Sequence, residues 1–158
     1  MAFISKRILV SIITGIALIV GYIIYALGSN APATGDLKAW ATLLLIFIAI
    51  SVVAQIVIMI LFYIVSSIGI SIKEGDESGN SAKRIIESES VEDERDKMNV
   101  LKSARFGYIL GGVGAVGMLL MLAFGDSSIA ALHILFAGFA VGSMVEGFAR
   151  IYYNEKGV

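Results

Sequence analysis

Polar side chains are rare inside the long apolar stretches of this chain, and any chemistry there would have to start from them. Glu146 is the one carboxylate well inside such a stretch, with Arg150 four residues on. That spacing puts both on one face of a helix, where they form a candidate structural ion pair. Left unpaired, Glu146 would instead be a candidate proton or cation site, because an ionisable group in hydrocarbon is costly. Gln55 and Ser51 share a helical face in an earlier stretch and are the residues that could join Glu146 in such a site. His133 is the single histidine, which suits an interhelical hydrogen bond better than a ligand role.

Other chemistries lack their residues. A bis-histidine haem needs two histidines, and no other zinc ligand stands near His133 in sequence. With no cysteine, disulfides, thiolate metal sites and thiol redox chemistry are ruled out. There is no GxSxG, phosphate loop or HExxH. Gly111-Gly112-Val113-Gly114 has no βαβ unit around it, so it is not a nucleotide fingerprint. The acidic run Glu92-Asp93-Glu94 lacks the alternating ligands and the glycine of a calcium loop. The expectation is a non-enzyme with no catalytic residue, metal or cofactor. A net charge of −1 gives no bulk attraction to nucleic acid.

The elements that must position these residues follow from composition. The chain has 158 residues, 58% of them hydrophobic and 16% charged. A soluble domain of this size could not hide so much apolar surface. No charge occurs between Lys38 and Lys73, and Asp36 is the only one between Arg7 and Lys38. A helix crosses the hydrocarbon in about 20 residues. The expectation is an all-α membrane four-helix bundle in a single transmembrane domain, 1–158, with spans near 8–27, 40–63, 106–124 and 129–150 and a helical cytoplasmic loop over 64–105. The apolar runs do not alternate with polar residues, which excludes a β-barrel. Span 1 is longer than the apolar run of a signal peptide and reads as a retained helix.

Basic residues set the orientation. Lys38 is alone on one side, and the other lysines and arginines gather on the opposite side. The positive-inside rule then places both termini and the Lys73–Ser103 loop in the cytoplasm of a cell-membrane protein. Span 2 continues in Ile64–Ile72, an apolar run expected to meet another surface. Residues 82–103 read as a helix with Val91, Met98 and Leu101 on one face, either a solvated lead-in to span 3 or a docking surface for a cytoplasmic protein.

The two halves align loosely as parallel-repeat hairpins, with Gln55 opposite Glu146 and Gly15 opposite Gly112. Gly107 and Gly111 in span 3, and Gly138 and Gly142 in span 4, form small-xxx-small stripes. These predict close helix packing, within the chain or in a homo-oligomer.

The run Val91-Glu92-Asp93-Glu94-Arg95-Asp96-Lys97, then Leu101-Lys102-Ser103, resembles uncharacterised families of small prokaryotic four-span membrane proteins. The ending Glu146-Gly147 to Tyr152-Tyr153-Asn154-Glu155-Lys156-Gly157-Val158 is similar to theirs as well. The resemblance implies a four-helix membrane fold and brings no activity or ligand. The chain is expected to be a structural or regulatory membrane protein acting through packing, oligomerisation and a cytoplasmic helix, among membrane lipids. The alternative is a small proton- or cation-coupled transporter or channel built on Glu146, Gln55 and Ser51.

Overall fold

Apolar runs of this length leave the backbone one way to satisfy its polar groups in hydrocarbon, which is helix. The computed structural model describes residues 3–74, 94–125 and 127–156. Its helices are α1 (Phe3–Leu27), α2 (Leu37–Glu74), α3 (Glu94–Ala123) and α4 (Ser128–Lys156). All four are long and apolar enough to cross a membrane, and no strand occurs among the described residues. The chain is an all-helical, multi-pass membrane protein.

The turns are fixed by local chemistry. Asp36 Oδ1 accepts the Ala39 amide at 2.9 Å and caps the start of α2. The Trp40 indole donates to the Ala33 carbonyl at 3.1 Å, tying the α1–α2 turn to α2. Gly125 leaves α3 with φ +77°, a left-handed conformation that costs glycine nothing.

Helix α4 is the axis of the fold. It packs on α3 along one face and on α1 along another, while α2 leans on α1 and touches α4 sparingly. Helix α3 contacts no described helix except α4, so the bundle is open rather than closed. The α3–α4 seam is made by small residues. Gly107, Gly111, Gly114 and Gly117 of α3 all abut α4. The same stripe extends down α3 through Ser103 and Asn99, which are also buried. On the other face of α4, Gly147 receives Ile12 of α1. At the end bearing the α1–α2 turn, Tyr22, Trp40, Leu43 and Leu44 form the buried core with Phe47, Leu132 and Phe136 against them.

Helix α2 outruns its neighbours. Arg7 donates to the Tyr63 hydroxyl at 3.0 Å, which sets the level where α1 begins. Beyond it α2 continues to Glu74, about 16 Å further at 1.5 Å per residue. Ile64, Val65, Ile68 and Ile72 on this extension are exposed, as are Met98 and Leu101. Neither the α2 extension nor the Met98–Leu101 face is covered among the described residues. The side of α3 that packs is the Asn99–Ser103 side, because it continues the glycine stripe in register with α4. Residues 75–93, including most of the expected 82–103 helix, lie outside the described residues.

Candidate functional site

Helices α2 and α4 meet at one end and part toward the other. Where they meet, the rings of Trp40 and His133 lie 4.9 Å apart, edge to face, and Tyr22 of α1 packs on Phe136 at 4.8 Å. Where they part, a cleft of about 1050 Å³ opens between them, with α1 as its floor. Its walls are aliphatic and aromatic, broken by Ser11, Ser51, Gln55 and Ser143.

These four side chains are placed by helical periodicity. Ser51 and Gln55 stand one turn apart on α2, which aims both at the cleft. The Gln55 amide donates to Ser11 Oγ of α1, a hydrogen bond that joins the two helices. Ser51 Oγ donates to the Phe47 carbonyl at 2.7 Å. Ser143 Oγ donates to the Ala140 carbonyl at 2.9 Å. Serine satisfies its proton this way in apolar surroundings while keeping lone pairs to accept with.

Glu146 lies elsewhere. Its carboxylate faces α3, where a Cβ placed on Gly107 would collide with Oε2. Only a residue without a side chain leaves room for it there. The structure thus brings Gln55 and Ser51 together, with Ser11, and puts Glu146 on a different face of α4. Arg150, one turn further along α4, has an interaction of its own.

His133 Nδ1 lies 2.7 Å from the Ile129 carbonyl, one turn back in its own helix. Its ring stands among Trp40 and Tyr22, so it serves the core where α2 and α4 meet. No group of three or more metal-ligand side chains occurs among the described residues.

Three contacts of polar side chains are not evident from the sequence. Ser11 is one of several serines in apolar runs, and only the α1–α2 register makes it the partner of Gln55. Asn99 Nδ2 donates to Asn154 Oδ1 at 2.9 Å, and Lys102 lies over the Tyr153 ring at 5.9 Å. The four-residue step of Asn99, Ser103, Gly107 and Gly111 was the available signal for that face. No family model, curated protein or solved structure matches the chain.

Proposed function

We propose that this chain is a non-enzymatic structural or regulatory membrane protein that acts by association, as a homo-oligomer in the cell membrane with both termini cytoplasmic. The observation that carries the reading is the separation of Glu146 from Gln55 and Ser51. A proton or cation path needs its polar groups on one surface, close enough to relay or coordinate. Here the carboxylate is turned toward Gly107 of α3, and the amide and hydroxyl border a cleft on another face of α4.

The subunit contact belongs on the outer face of α3. The glycines that pack on α4 are used within the chain, but Gly112 has nothing within 4 Å of where its Cβ would stand. Beside it Tyr108, Ile109, Val113 and Val116 are more than half exposed. A glycine among bulky neighbours makes a notch through which two membrane helices can approach closely. The exposure of Met98 and Leu101 supports a cytoplasmic protein partner at the end of the 82–103 segment that is described.

The chain has no cysteine, so one can be added as a reporter. Gly112→Cys should form a disulfide-linked dimer in membranes under mild oxidation. Ile16→Cys, on an exposed position of α1, should not. No crosslink through Gly112→Cys, or equal crosslinking through both, would refute the α3 contact.

A further inference from the structure

We propose that the cleft between α2 and α4 binds a membrane lipid with an isoprenoid or acyl chain and an uncharged head carrying a hydroxyl or carbonyl oxygen. This goes beyond the oligomer reading and does not rest on it, since the subunit contact lies on the outer face of α3.

The cleft opens sideways. Leu45, Ile48, Val52 and Ile56 line it and are still 47–66% exposed. In a bilayer that opening faces the lipid chains, so an occupant enters from the membrane and not from water. On α2 the lining runs from Ala41 to Ile56, about 22 Å of helix. The cleft, at about 1050 Å³, has room for a single lipid chain laid along that length. Gly15 on the floor adds room, because nothing lies within 4 Å of where its Cβ would stand.

The polar groups select the head. They are gathered at one end of the cleft. Ser51 and Gln55 close the α2 lining, Ser11 lies at the matching level of α1, and Ser143 lies near the end of the α4 lining. The remaining lining is apolar and suits a chain. No lining residue is ionisable, so a charged head would enter without a counter-ion, at a cost that excludes it. Gln55 has donated one N–H to Ser11. Its second N–H and its carbonyl have no hydrogen bond among the described residues. In hydrocarbon an amide left this way is costly, and a neutral oxygen head relieves it. Ser51 and Ser143 have spent their protons on their own helices and can accept from a hydroxyl.

The test uses the full chain in lipid nanodiscs, with thermal unfolding followed by fluorescence of Trp40, the only tryptophan. The probes are hexadecanol, decylubiquinone, hexadecane and hexadecanoate. One or both neutral-head probes should raise the midpoint saturably, and whichever does so identifies the head as hydroxyl or carbonyl. The alkane and the carboxylate should not. Gly15→Leu should fold with an unchanged or higher midpoint, since its side chain enters open space, and should abolish the shift. Gln55→Leu should raise the half-saturating amount roughly threefold, the average worth of one hydrogen bond in a bilayer. Equal shifts with all four probes, no shift with any, or a full shift in Gly15→Leu would overturn the proposal. Loss of the dimer in Gly15→Leu, read by size in parallel, would give the cleft to a second copy and overturn it as well.

Discussion

Gly114 and Gly138 meet backbone to backbone: a Cβ built on Gly138 would stand 2.6 Å from the Gly114 Cα. Contact this close is available only to glycine, and it supplies what hydrophobicity cannot between helices already in lipid. Gly138→Ala should therefore destabilise the protein by about 1–3 kcal/mol, the usual range for overpacking. Gly142→Ile should cost a similar amount, since the Gly107 carbonyl lies 3.0 Å from its Cβ position. Gly111→Ile should cost less, because the atom it meets is in the Phe139 ring, which can swing. Equal midpoints for wild type and Gly138→Ala in chemical or thermal unfolding would refute the close contact.

The opposite sign is expected where glycine faces open space. Gly15 and Gly112 have nothing within 4 Å of their Cβ positions. Alanine there should stabilise the isolated protomer by about 0.5–1 kcal/mol through helix propensity alone. Unfolding of Gly15→Ala measures this cleanly. A loss comparable to that of Gly138→Ala would mean that α1 packs more tightly at Gly15 than the structure has it.

Helix existence was legible in the sequence, including helix beyond the membrane portion: α2 is helical through Glu74 and α3 from Glu94 among the described residues. Hydrogen bonding of the backbone does not stop where the hydrocarbon stops. The stripe of Gly107 and Gly111 was legible because a four-residue step defines a helix face in any context. The direction of Glu146 was not. It depends on the space that Gly107 leaves on a different helix, which the spacing within α4 does not report. Gln55 with Ser51 was legible as a face, and Ser11 was not, because the register of α1 against α2 is a tertiary fact.

Orientation can be read by labelling. In the proposed orientation Ala33 and Ser127 lie outside and Asn80 inside. Cysteines introduced at Ala33 and Ser127 should react with a membrane-impermeant thiol reagent in intact cells, and one at Asn80 should react only after lysis. Labelling at Asn80 alone in intact cells would reverse the topology.

The Gln55–Ser11 hydrogen bond joins α1 to α2. Its strength can be isolated by a double-mutant cycle with Gln55→Leu and Ser11→Ala. Interhelical bonds of this kind average about 0.6 kcal/mol, with a maximum near 1.7. A coupling in that range is expected, and zero coupling would mean that the two side chains do not bond in the folded state.

Glu146 divides the two functional readings, and its surroundings say what each mutation should do. The carboxylate fills the space over Gly107. Glu146→Gln keeps the shape of the side chain, so the fold should survive with a small change in stability. Gly107→Ala should push the carboxylate aside, at a small cost because the obstructing atom ends a flexible side chain. That cost should vanish in a Glu146→Ala background, where nothing remains to collide with the new methyl group. The cycle thus reports whether the two residues touch, whatever the protein does. For function, a path would also need Gln55 and Ser51, which border a different face of α4. Proteoliposomes should show no proton- or cation-coupled flux above empty vesicles, for wild type and Glu146→Gln alike. Flux by the wild type that disappears in a well-folded Glu146→Gln variant would replace the association reading with transport.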